Sequence, residues 1–114
     1  MAKKVEPLSE SYYYILLCLA RGPGHGYGIM QETKRLSRGE VLIGSGTMYG
    51  ATGNMMKKGW IEETASQMEN GKRRRMYRLT PLGKEILDAE IGRLKRMLEG
   101  AEEIEWEGNH SETA

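Results

Sequence analysis

Apolar and polar positions along this chain follow three successive rhythms, and the first is a dense run. Tyr12 to Ala20 is apolar without interruption, and Ser9 stands just ahead of it. A serine there accepts the otherwise unpaired amides of a first helical turn, which predicts a helix from Ser9 to Arg21. Gly22-Pro23-Gly24 stops it, because proline cannot continue the hydrogen-bond ladder and glycine accepts the left-handed turn. From Gly26 to Leu36 the residues Tyr27, Met30, Thr33 and Leu36 recur at helical spacing, while Gln31, Glu32, Lys34 and Arg35 fall on other faces, so a short amphipathic second helix follows. Ser37 to Gly44 is a connection with room for a brief strand. Ser45-Gly46-Thr47 offers a capped start to a third helix that runs to Lys58 and ends at Gly59. Gly50 and Gly53 inside it each cost roughly 1 kcal/mol relative to alanine. Packing of Met48, Ala51, Thr52 and Met55 must offset that loss.

The rhythm then changes to alternation. Trp60-Ile61-Glu62-Glu63-Thr64 reads as extended, and Arg74 to Leu79 returns with aliphatic and aromatic residues between arginines. Between them lies Glu69-Asn70-Gly71-Lys72, and Asn-Gly accepts positive φ at both turn positions, a strong hairpin signal. Thr80-Pro81 caps and opens a last helix, with proline where no amide hydrogen is needed. Within it Leu87, Ile91, Leu94, Leu98 and Ala101 are spaced by four, three, four and three, a heptad seam with Leu82 and Met97 beside it. A helix of about 25 residues outruns so small a body. Because each large apolar side chain left in water forgoes roughly 1.5 to 3 kcal/mol, a partner helix is expected on the seam, and we expect a homodimer.

The order of three helices, a basic hairpin and a long helix is that of a winged helix-turn-helix. The expected fold class is therefore mainly α with a β-hairpin wing (α+β), and the long C-terminal helix is the dimerisation element. The expected division is a DNA-binding unit over residues 1–80, the dimerisation helix over 81–106 and an acidic tail over 107–114. Composition narrows the reading. At 114 residues there is room for one modest core. The net charge of +1 hides an asymmetry, since all 17 Lys and Arg precede Leu98 while Glu99, Glu102, Glu103, Glu105, Glu107 and Glu112 follow it. A basic body suggests a polyanion partner, and a solvated helix end accounts for the tail.

Other chemistries find little support. Cys18 is the single cysteine, which excludes an intramolecular disulfide or a cysteine zinc cluster. His25 and His110 make no metal site, and no cofactor is expected. Gly22 to Gly28 follows a helix instead of a strand and lacks the Gly-Lys-Ser/Thr ending of a phosphate loop. No nucleophile, base and orienting group assemble, so an enzyme is not expected. Asn109-His110-Ser111 matches a glycosylation acceptor by chance. With no long apolar run, the expected location is the cytoplasm.

Five stretches, in order, resemble the PadR family of bacterial transcriptional regulators. They are Leu8-Ser9-Glu10 with its apolar helix, Gly24-His25-Gly26-Tyr27-Gly28-Ile29, Gly46-Thr47-Met48-Tyr49-Gly50-Ala51, Lys57-Lys58-Gly59-Trp60-Ile61, and Arg73 through Gly83. The likeness covers nearly all of residues 8 to 99, and the single long last helix resembles the short subfamily. The resemblance implies a repressor that dimerises through that helix and its contacts with helix one, and that flat aromatic or drug-like compounds release from DNA at the dimer interface. Tyr12, Ile15, Ile91 and Leu94 are the residues placed to line such a space, although all four serve equally as core and seam. Where the family commonly has leucine, a charged residue and arginine, this chain has Thr52, Gly53 and Asn54, which leaves its sequence preference open.

Thr47, Gly50, Asn54 and Lys57 share one face of the third helix. Thr47 and Asn54 are candidates for base edges, asparagine pairing with adenine in bidentate fashion, and Gly50 and Gly53 permit close approach of the backbone. Tyr49 either reaches a phosphate or packs as a core tyrosine. Lys57 and Lys58 either bind DNA or complement the helix dipole. Lys72, Arg73, Arg74 and Arg75, with Arg78, crowd five cations on one strand, which favours a phosphate backbone or narrow minor groove alongside; the alternative is a solvated basic edge. The competing functional class is a winged-helix protein-interaction module without operator specificity.

Overall fold

A computed structural model describes residues 6–108, with no account of side chains at positions 67, 69 and 105–108. Helix α1 spans Glu10–Leu19, and the Ser9 hydroxyl accepts from the Tyr12 amide as its N-cap. Strand β1 is only Gly24–His25, and α2 follows at once over Gly26–Leu36. His25 caps α2, its Nδ1 accepting the Gly28 amide at 3.1 Å. Helix α3 covers Ser45–Lys57, strands β2 and β3 cover Ile61–Glu69 and Lys72–Leu79, and α4 runs over Pro81–Gly108.

The strand order is β1-β3-β2, all antiparallel. Asn70 and Gly71 both take positive φ, 52° and 75°, as the Asn-Gly signal requires of a two-residue hairpin turn. Two details depart from the sequence reading. The connection over residues 37–44 holds no strand; the Ser37 hydroxyl instead accepts the Val41 amide and donates to the Val41 carbonyl, closing a local turn. The third strand is Gly24–His25, whose pairing with Tyr77 and Met76 leaves no alternating pattern to read. Helix α3 also lacks the expected side-chain cap, because Gly44 occupies the cap position and Ser45 already lies in the first turn.

The core gathers one face from each element. Ile15, Leu16 and Met55 are wholly buried, with Leu19, Ile29, Met48, Ile61, Tyr77 and Leu87 around them. Leu87 therefore belongs to the interior of the single chain, and the seam proper begins after it. Thr33 is also fully buried, and the Cys18 thiol beside it is pushed up by burial, so Cys18 behaves as a small core residue.

The start of α4 is fixed tightly. Thr80 donates its hydroxyl to the Gly59 and Trp60 carbonyls and accepts the Gly83 amide. Farther along, Glu90 is 2% exposed and accepts two hydrogen bonds from Arg93, both at 2.8 Å, and one from the Leu8 amide at 3.2 Å. The Arg93 hydrogen bonds, helped by the Leu8 amide, hold the Glu90 carboxyl below the usual carboxylate range against the opposing effect of burial. A carboxyl lowered on folding contributes stability above its unfolded value, about 4.3, and loses it as pH falls through the folded value. Melting temperature should thus fall more steeply from about pH 5 to pH 3 in the natural chain than in Glu90→Gln. Equal slopes in thermal melts would refute this role for Glu90.

Beyond Ile91 the helix leaves the body. Leu94 is 37%, Leu98 59% and Ile104 67% exposed, and Ala101 is exposed between them. Trp106 lies within α4, which reaches past the expected end at residue 106; the tail from 109 to 114 lies outside the described residues. Among the described residues no helix is long and apolar enough to cross a membrane, and no cluster of His, Cys, Asp or Glu suits a metal ion.

Candidate nucleic-acid interface

The two parts that a winged helix-turn-helix turns toward DNA, the third helix and the hairpin, border one cleft. It holds about 400 Å³ and is lined by the first turn of α2, by Ser45, Met48 and Tyr49 of α3, and by Arg73, Arg74 and Arg75 of β3. The reason they meet is the two-residue β1. Its pairing to Tyr77 and Met76 lays β3 beside the start of α2, and α3 packs across α2. Since β1 pairs no farther than Met76, the segment from Lys72 to Arg75 keeps one open edge.

Tyr49 is 69% exposed, which disposes of the core alternative for it. Its partner positions Thr47, Gly50 and Asn54 are also exposed. Thr52, by contrast, is buried and donates its hydroxyl to the Met48 and Tyr49 carbonyls, so it belongs to the helix's inner face. Neither Gly50 nor Gly53 is required by the chain itself, for a Cβ added at either would meet nothing within 4 Å. Those two helix-weakening residues lie where an outside surface has room to approach.

Asn54 donates from Nδ2 to the Tyr12 hydroxyl of α1 at 2.8 Å. One of its two amide protons is thus engaged, leaving the other proton and the carbonyl oxygen for an adenine edge. Tyr12 also meets Trp60 edge to face at 6.4 Å between centroids, and the Lys58 ammonium sits 5.0 Å from the Trp60 ring centre. Lys58 is therefore held by an aromatic face, while Lys57 is exposed on the last turn of α3.

The wing's cations are partly balanced from within. Arg78 pairs with Glu62 directly across the ladder at 2.5 Å, and Arg75 approaches Glu63 at 3.4 Å. Such exposed pairs contribute little, at most about 1 kcal/mol, and give way readily to a phosphate. Of the expected ligand-space residues, Ile15 is wholly buried and faces no open space in the single chain, whereas Tyr12 and Ile91 are half-buried and Leu94 is exposed.

Sequence reasoning missed two features. The helical spacing places Tyr27 on the face of Met30 and Thr33, yet Tyr27 stands 54% exposed at the cleft. Its i,i+4 spacing to Gln31, a polar partner, was the available signal. Ile104, another exposed apolar residue on α4, lies past the five-residue heptad pattern.

Helix-turn-helix, three-stranded wing and protruding last helix together define a winged helix-turn-helix protein. Residues 15–89 match the Transcriptional regulator PadR-like family. The chain belongs to that family. A PadR family transcription regulator from Clostridium difficile is 27% identical, with a TM-score of 0.66, 83% of this chain and 96% of that one being covered. PadR of Bacillus subtilis, seen in complex with operator DNA, shares the fold at 24% identity and a TM-score of 0.66, over 75% of this chain and 48% of that one. A 37.1 kDa protein of transposon TN4556 from Streptomyces fradiae is 30% identical over 89 residues, 78% of this chain but only 24% of that protein's length.

Proposed function

We propose that this chain is a cytoplasmic bacterial repressor that binds operator DNA as a homodimer and is released by a small aromatic or drug-like ligand. The observation that carries the DNA reading is the cleft itself, where the exposed Tyr49 of α3 faces Arg73, Arg74 and Arg75 of the wing. The likeness to Bacillus subtilis PadR, whose own structure contains operator DNA, supports it. Thr47 and Asn54 read base edges, Gly50 and Gly53 allow the backbone to approach, and Tyr49, Lys57, Lys58 and the cations from Lys72 to Arg75 meet phosphates. The exposed stripe of Leu94, Leu98, Ala101 and Ile104, continuing from Ile91, is covered by the same stripe of a second copy. Two recognition helices then face successive major grooves about 34 Å apart. The ligand enters beside Tyr12, Ile91 and Leu94, and the Tyr12–Trp60 contact makes tryptophan emission its reporter.

The test is fluorescence anisotropy against the upstream intergenic duplex and a scrambled duplex across a salt series. Tight binding to the upstream duplex alone is expected. Replacing Arg73, Arg74 and Arg75 together by alanine should flatten the salt dependence by about two to three phosphate contacts, each worth a slope of roughly 0.9. An unchanged slope sinks the assignment of the wing. A second reading, a protein-interaction module, draws on the engagement of Asn54 with Tyr12 and on the bare Gly50 and Gly53, which leave few side chains to read sequence. Equal binding to both duplexes would favour it.

A further inference from the structure

Tyr27, on the first turn of α2, is a large aromatic residue left mostly in water, and its surroundings give it work at the cleft. The Arg74 guanidinium lies over its ring, 5.8 Å from the centre, and Gln31 donates from Nε2 to its hydroxyl at 2.7 Å. A phenol that accepts one hydrogen bond retains its own proton to donate, and the bond from Gln31 fixes where the oxygen sits. Among the described residues, the cleft that Tyr27 lines holds three arginines and no carboxylate. Its charge suits an anion. Because β1 releases β3 at Met76, the arginine-bearing half of the wing is not tied to α2 through that backbone ladder. The Tyr27–Arg74 stack is a side-chain bridge across that gap.

We propose that Tyr27 is a phosphate-binding and wing-positioning residue. Its hydroxyl donates to a phosphodiester oxygen of the DNA strand that passes between α3 and the wing. Its ring meanwhile holds Arg74 against α2, so that the guanidinium meets the same strand. The proposal rests on the DNA-binding reading above and adds the contact that sets the spacing between recognition helix and wing.

The full-length chain carrying Tyr27→Phe or Tyr27→Ala is titrated against the upstream and scrambled duplexes over a salt series, with melting curves as the control for folding. Tyr27→Phe keeps the stack and loses the hydroxyl. It should weaken binding about three- to tenfold on both duplexes with an unchanged salt slope, since a phenol carries no charge. Tyr27→Ala should weaken binding at least about threefold more and reduce the slope by roughly one, as Arg74 loses its support. Wild-type affinity in both variants overturns the proposal, and so does a loss confined to the upstream duplex, which would mean base reading. Should Tyr27→Ala melt early, Tyr27→Phe alone decides. A natural chain that binds neither duplex overturns the DNA reading itself, a different result from binding that Tyr27 does not affect.

Discussion

Gly83→Ala should lower the stability of this protein by about 3 kcal/mol and its melting temperature by roughly 12 °C, the largest effect expected of a methyl group added at any described glycine. The added Cβ would run into the Trp60 carbonyl oxygen and stand 2.9 Å from Leu79 Cδ1. Leu79 Cδ1, at the end of a side chain, can turn aside, but the Trp60 carbonyl cannot. It accepts from both the Thr80 amide and the Thr80 hydroxyl, and so is held in place from two sides. Glycine is required here by closeness of backbones and by nothing about its dihedral freedom. A thermal melt of Gly83→Ala that overlays the natural chain would show that α4 can shift without cost.

The second large effect has opposite signs in two assays. Changing Gly50 and Gly53 to alanine should raise stability by about 2 kcal/mol, roughly 8 °C in melting temperature, because each glycine weakens the helix and neither site is crowded. The same pair should cut operator affinity at least about tenfold, since two methyl groups then stand between α3 and the bases. Calorimetry and anisotropy on one preparation separate the effects. A variant both more stable and equally tight on DNA would mean that this face of α3 does not lie against the duplex.

How far the sequence reached depended on whether an element announces itself locally. Helix α2 was legible to the residue over Gly26–Leu36, and the Asn70-Gly71 turn was legible from two residues. Strand β1 was not, because two residues carry no period and their strand character exists only through Tyr77 and Met76, some fifty positions away. The basic wing was visible in sequence, but the acids that partly balance it, Glu62 and Glu63, became its partners only once the register was set. Leu87 sat in a flawless heptad and yet belongs to the core of the single chain, since periodicity shows which residues share a face and not what covers that face. Tyr27 was hidden for the same reason. Its spacing matched Met30 and Thr33, while its exposure was decided by a wing encoded far downstream.

The separation of charge along the chain bears on speed as well as affinity. Every lysine and arginine lies before Leu98, and the described end of α4 beyond it carries Glu99, Glu102 and Glu103. A molecule built this way is electrically polar, and near a polyanion it experiences a torque before it experiences any contact. If the wing is the DNA-binding end, as proposed above, DNA draws it inward and turns the acidic end of α4 away, so that a larger share of collisions begins in a productive orientation. Encounter should therefore be faster than the net charge of +1 suggests, and added salt should slow it first.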